Sequence, residues 1–146
     1  MSSTNEKLNQ NLLNRLTSTG SGYDFLRFEA LPDLLGRDAN TILYIIGKNL
    51  ARKFSFTSVE EITLSFEQLG WGQLSLVKEK RRELFFELQG KEIEKRKDSP
   101  YKNQDYRLES GFLAAAIEQM KQTPCECTDE NRIQKGTVQF NVIYTS

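Results

Sequence analysis

The residues that could do chemistry in this chain are few. Cys125, Glu126 and Cys127 come first, because two thiols one residue apart can hold a metal or act in redox chemistry. In a strand both would point to one face. Two sulfurs fall short of the four ligands of a closed zinc site, so Glu126, Asp129 or another subunit would have to supply the rest. So short a loop would also strain a disulfide between them. Two ordinary thiols, without zinc, are the expectation.

Histidine is absent from all 146 residues. Its absence excludes Ser-His-Asp and Cys-His nucleophile systems, zinc sites with His ligands and His-ligated haem. Carboxylates, Lys, Tyr or Cys could still serve an enzyme, but a neutral-pH proton shuttle would lack its usual residue. A non-enzymatic protein without a cofactor is expected. The 20 basic and 20 acidic residues cancel, which gives no electrostatic case for a nucleic acid or an anionic membrane as partner. Lys78, Lys80, Arg81 and Arg82 form a basic cluster with Lys91, Lys95, Arg96 and Lys97. Glu79, Glu83, Glu87, Glu92 and Glu94 are interleaved with it, so it reads as a solvated hairpin and loop.

The other candidates lie in residues 22–54, the densest apolar stretch, which reads as two amphipathic helices joined by a Gly-Arg-Asp turn. The first covers 23–34, with an irregular last turn at Pro32. The second covers 41–53, with Asp38 or Asn40 as N-cap. Ile42, Leu43, Ile46, Leu50 and Phe54 keep helical spacing there. Gly47 falls mid-helix, where it costs about 1 kcal/mol against Ala unless another helix backbone approaches closely. Phe25, Phe28, Leu31, Tyr44 and Ile45 exceed what one packing seam needs. They could be core, or with Gly47 a homodimer interface, or the lining of a pocket for a lipid-like ligand. Arg27, Arg37 and Tyr44 would then fix the ligand's head.

The remaining elements position these two helices. Residues 1–21 are polar, with an apolar set at Leu8, Leu12, Leu13 and Leu16, and read as a mobile or frayed arm or a short docking helix. Residues 22–146 form a single domain. A third helix, 58–69, opens with a Ser58/Glu61 capping box. Trp71, between Gly70 and Gly72, reads as a core residue at a corner, with a partner anchor as the alternative. Strands 73–80 and 82–88 pair through a Lys80-Arg81 turn. A charged stretch over 90–105 holds a short helical turn near 91–96. The fourth helix, 105–122, has Gly111 and Ala114 to Ala116 on a thin side suited to packing on a sheet. Strands 123–130 and 137–145 make a second hairpin. The order α-α-α-β-β-α-β-β gives an α+β fold: a four-stranded antiparallel sheet of two hairpins with helices on one face. No apolar run approaches the ~20 residues that cross a bilayer. The N-terminus lacks a basic and then apolar leader, so a cytoplasmic location is expected.

The stretches GYDFLR and LPDLLG (residues 22–27 and 31–36), ILYIIGKNLARKF (42–54), GWGQLSLVKEKRRELFFEL (70–88) and LESGFLAAAIEQ (108–119) carry a resemblance. With them the chain resembles the YslB-type proteins of Gram-positive bacteria, a family defined as a domain of unknown function. That family is similar to a fold group containing TRAPP vesicle-tethering subunits, four-vinyl-reductase-type domains and haem nitric-oxide sensors. The resemblance implies a TRAPP-subunit-like fold, dimers through the first helices, and in some members a cavity for a hydrophobic ligand. Three features of that group do not carry over. The haem sensors use a proximal His, absent here. Cys125 and Cys127 have no third Cys or His beside them for a vinyl-reductase-type cluster. No cysteine lies in the helical half for acylation. The resemblance and the residues together lead to a homodimeric interaction or scaffold module, with a small-molecule sensor as the alternative.

Overall fold

The computed structural model describes residues 20–97, 99, 101 and 104–146. The arm expected at the N-terminus, with Leu8, Leu12, Leu13 and Leu16, lies outside the described residues. Helix α1 is one helical run in three pieces: Ser21–Phe25, a π-helical turn Leu26–Ala30, and Leu31–Leu35. The wide turn precedes Pro32, whose ring would strike the carbonyl four residues earlier in a regular α-helix. A 3-10 turn, Gly36–Asp38, leads into α2, Ala39–Ala51. Asp38 stands at the cap position but makes no side-chain capping bond, and the carbonyl of Gly36 accepts from the Ala39 N–H. The side-chain cap expected there is not made.

Helix α3 is Val59–Gln68. The Ser58 hydroxyl accepts from the Glu61 N–H at 3.2 Å. The Glu61 carboxylate reaches one residue further back than a capping box requires, to the N–H and hydroxyl of Thr57 at 2.7 and 2.9 Å. Those bonds hold its carboxyl below the usual range.

The strands are β1 (Gln73–Glu79), β2 (Glu83–Gln89), β3 (Cys125–Arg132) and β4 (Thr137–Tyr144), in the spatial order β1-β2-β4-β3, all antiparallel. Two hairpins thus join through β2 and β4. The short helix α4 (Lys91–Glu94) follows β2, and α5 (Arg107–Lys121) precedes β3. Period-two burial sets the register. Leu84, Phe86 and Leu88 of β2 and Val138, Phe140 and Val142 of β4 turn to the helices, while Phe85, Glu87, Gln139 and Asn141 turn away. Phe66, Trp71 and Phe112 pack edge to face with centroids 5.0 to 5.7 Å apart beneath them. Trp71 is accordingly a core residue, 5% exposed.

Helix α5 is buried continuously from Leu108 to Ile117. Its closest neighbour is α2. A Cβ on Gly47 would lie 2.0 Å from the carbonyl oxygen of Leu108, and one on Gly111 would lie 2.0 Å from that of Tyr44. The two backbones are in contact, and each glycine admits the other helix. Gly111 therefore serves the helix pair and not the sheet, as its sequence setting had suggested. Further along, Gln119 Nε2 donates to the Ala51 carbonyl at 3.0 Å, so the helices run in the same sense.

Gly47→Ala and Gly111→Ala should each lower the unfolding free energy by about 3 kcal/mol or more, the upper range of core overpacking, in urea titrations. Gly22→Ala, at a helical position with nothing within 4 Å, should change it by less than about 1 kcal/mol, in the stabilising direction.

Candidate functional site

The N-terminus of α5 gathers most of the buried charge. Tyr106, the residue before it, is fully buried, and its N–H donates to Asp129 Oδ2 at 3.2 Å. Asp129 comes from β3 on the helix-facing side and also accepts from Arg107 (2.7 Å) and the Ser110 hydroxyl (2.8 Å). Asp105 Oδ1 accepts from the Arg107 N–H at 3.0 Å. Carboxylates are favoured at this end of a helix, where unpaired N–H groups and the dipole are positive.

Helix α1 closes over this end. Arg27, 1% exposed, donates from Nη2 to the Asp105 carboxylate (2.9 Å), the Asp105 carbonyl (3.1 Å) and Glu109 Oε1 (3.2 Å). The Tyr23 hydroxyl donates to Glu109 Oε2 at 3.0 Å. Arg96, 2% exposed, grips Asp24 with two bonds of 2.8 and 3.1 Å and donates to the Tyr106 hydroxyl at 2.9 Å. Both guanidiniums lie over the Phe28 ring, 5.1 and 4.9 Å from its centroid. Burial works against the charge on both arginines, but the surrounding carboxylates more than offset it, so their pKa values rise. Burial pushes the Tyr106 phenol up to about 12 against the opposing charge of Arg96. Burial and the Glu109 charge push that of Tyr23 well above its ordinary value.

This arrangement corrects several readings. Arg27 is locked into ion pairs inside the protein and is not free to hold a ligand's head. Phe28, 4% exposed, and Gly47, buried against α5, lie inside the fold and outside any outward surface. Arg96 belongs to no solvated loop; it is core. Tyr44 is also committed. Its hydroxyl donates to Glu126 and accepts from the Cys127 N–H at 2.9 Å, and Lys48 and Arg107 lie 4.9 and 4.5 Å from its ring centroid. Lys48 pairs with Glu126 at 3.0 Å. Burial would raise the Glu126 carboxyl, but the bonds from Tyr44 and Lys48 bring it below the usual range. Tyr44 thus latches α2 to the edge strand β3.

Other expected positions do face solvent. Phe25 and Ile45 are 60% and 50% exposed, Leu31 is half-buried and Arg37 is exposed. Leu26 and Leu34, on the same helix α1, are 53% and 79% exposed. Most large exposed apolar side chains among the described residues are therefore on α1 and α2. Cys125 and Cys127 are free and buried. Burial and nearby acidic groups raise Cys125 to about 11, and burial raises Cys127 further. No group of three or more His, Cys, Asp or Glu among the described residues is placed to hold a metal ion. Asp24, Arg96, Tyr106 and Glu109 were missed in the sequence because each partner lies far along the chain or within an ordinary charged run.

The description "Protein of unknown function (DUF2507)" matches residues 20–143. The chain is 38% identical over 130 residues to a Bacillus subtilis protein described as "Uncharacterized protein YslB", covering 89% of this chain and 87% of that one. Both bear out the resemblance read from the sequence. The fold is similar to a crystal structure of a vinyl-4-reductase family protein from Methanocaldococcus jannaschii, with a TM-score of 0.65 and 18% identity, over 94% of this chain and 89% of that one. This supports the expected fold and nothing finer.

Arg27→Ala should cost about 3–5 kcal/mol in urea titrations, because Glu109 would keep a buried, unpaired charge. The double variant Arg27→Met with Glu109→Leu should recover much of that loss. Both thiols should resist iodoacetamide at pH 8 in the folded protein and react at once in urea, followed by intact mass, because only the thiolate attacks.

Proposed function

The chain belongs to the DUF2507 family of proteins of unknown function, and from that footing we propose that it is a non-enzymatic, cytoplasmic interaction module. It pairs with a second copy of itself through α1 and α2 and needs no cofactor. The observation that carries this reading is the exposure of Phe25, Leu26, Leu34 and Ile45 on two adjoining helices whose other sides are held by the fold. Scattered apolar exposure is ordinary, but concentration on adjoining elements marks interfaces. The base beneath is rigid. Arg27 and Arg96 hold α1, and the glycine contacts and the Tyr44 latch hold α2. Such a surface is presented without an ordering cost, which favours association. A two-fold pair would cover the same patch on both copies. No helix among the described residues is long and apolar enough to cross a membrane, so a membrane span is not what these side chains serve. The alternative, a sensor with a hydrophobic ligand between helices and sheet, meets a space occupied by Phe54, Phe56, Phe66, Trp71, Phe112 and Phe140.

Sedimentation equilibrium of the 16.8 kDa chain tests the proposal. A mass of twice the chain is expected, and Phe25→Glu and Ile45→Glu should each give a folded monomer. A parent chain that stays monomeric at about 100 µM, well above ordinary interaction affinities, would sink the reading.

A further inference from the structure

The outer side of α1 carries a stripe of exposed residues at helical spacing. Ser21, Phe25, Glu29 and Asp33 follow one another four residues apart, and all four are exposed. Leu26, 53% exposed, stands beside Phe25. Glu29 and Asp33 make no ion pair or side-chain hydrogen bond among the described residues. The chain enters this helix through Gly20, whose φ of +84° is a conformation that other residues rarely adopt, so the backbone turns there. Residues 1–19 precede that turn. Their sequence holds Leu8, Leu12 and Leu16 at the spacing of one helix face, and Lys7 and Arg15 against a single Glu6. Only Thr17 to Gly20 separate Leu16 from the start of α1. A connection of about 2–5 residues is what joins two antiparallel helices. In such a pair, residues equally far from the connection meet. Leu16 then falls beside Ser21, Leu12 beside Phe25 and Leu8 beside Glu29. Lys7 comes level with the two unpaired carboxylates. Apolar spacing and charge sign therefore match along the same line.

We propose that residues 8–16 fold back as a helix along the outer side of α1 in their own chain, cover Phe25 and Leu26, and so compete with the second copy for that surface. The short connection favours α1 of the same chain over that of another. A helix of this length does not persist alone in water, so it forms only against an apolar face. Ordering it costs about 1 kcal/mol or more per residue. Burying Leu8, Leu12, Leu16, Phe25 and Leu26 returns about 1.5–3 kcal/mol for each one fully covered. The two sums are close, so a second copy can displace the cover. The competition rests on the pairing proposed above, but the cover itself does not.

The test compares the full chain with a triple variant, Leu8→Ser with Leu12→Ser and Leu16→Ser. For ¹⁵N spectra both also carry Ile45→Glu, which keeps them single chains whether or not the parent pairs and lies outside the covered stripe. The amides of Phe25, Leu26 and Glu29 should differ between the two, while those of β2 and β4 coincide and verify the fold. Lys7→Glu should move the amides of Glu29 and Asp33. With Ile45 restored, sedimentation equilibrium should show the triple variant pairing about four-fold more tightly or better, since a surface covered half the time on both copies enters the equilibrium twice. Unchanged α1 amides overturn the cover. Differences that vanish on dilution overturn its placement within one chain. Changed amides with unchanged pairing overturn the competition. A parent and a triple variant that both stay monomeric sink the pairing reading and the competition with it, and the spectra alone then decide the cover.

Discussion

The contact of two helix backbones at Gly47 and Gly111 organises the rest of this molecule. With no Cβ on either residue, the carbonyl of Tyr44 enters α5 and that of Leu108 enters α2. Helices normally pack with their axes 8 to 10 Å apart because side chains intervene. Here the small residues bring Tyr44 and Lys48 down to the edge strand, where Glu126 and the Cys127 N–H receive them. The same contact fixes which way α2 is turned. With Leu43, Gly47 and Ala51 inward, Ile45 must point out.

The second constraint is electrostatic and follows from where α5 begins. Asp105, Glu109 and Asp129 surround its positive end, and Arg27 and Arg107 neutralise them, while Arg96 pairs with Asp24 on α1. Arginine suits this role better than lysine, because a planar fork can meet a carboxylate, a carbonyl and a ring face together. Arg27 meets all three, and Arg96 meets the Asp24 carboxylate, the Tyr106 hydroxyl and the same Phe28 ring. Desolvating these ions is costly, so they define one placement of α1 more than they add stability. A one-turn shift of α1 would strand Asp24, Arg27 and Glu109 at once. The network therefore explains how a helix interrupted by a π turn and a proline keeps one position.

Local physics made much of this legible in the sequence. Alternation in 84–88 and 138–144 placed both central strands, Ser58 and Glu61 placed the start of α3, and Gly47 announced a close neighbour. The sheet, its antiparallel hairpins and the role of Trp71 followed from patterns within a few residues. What escaped depends on distance along the chain. Arg96 sits in a Lys-Arg-Lys run that looks solvated, and nothing nearby reveals that Asp24 waits 72 residues away. Arg27 and Tyr44 looked like free polar groups on apolar helices for the same reason: their partners lie 78 to 83 residues further on. Gly111 was assigned to the sheet because a glycine next to an alanine run marks a thin side without naming the neighbour.

The two faces of α1 obey different rules, and that difference is where function enters. Its inner face is dictated by the fold, since Asp24, Arg27 and Phe28 each have contacts that only one placement satisfies. Its outer face is not. Leu34, 79% exposed, adds almost nothing to the core of its own chain, and a polar residue there would serve the helix as well in isolation. Burying a leucine side chain is worth roughly 1.5–3 kcal/mol, and Leu34 gains little of that from its own chain. The fold alone does not account for such a residue, because folds specify scaffolds and sites specify function. Under the proposed pairing, the stabilisation available to Phe25, Leu26, Leu34 and Ile45 would come from the second copy, and the buried charges beneath α1 would hold those side chains in place for it.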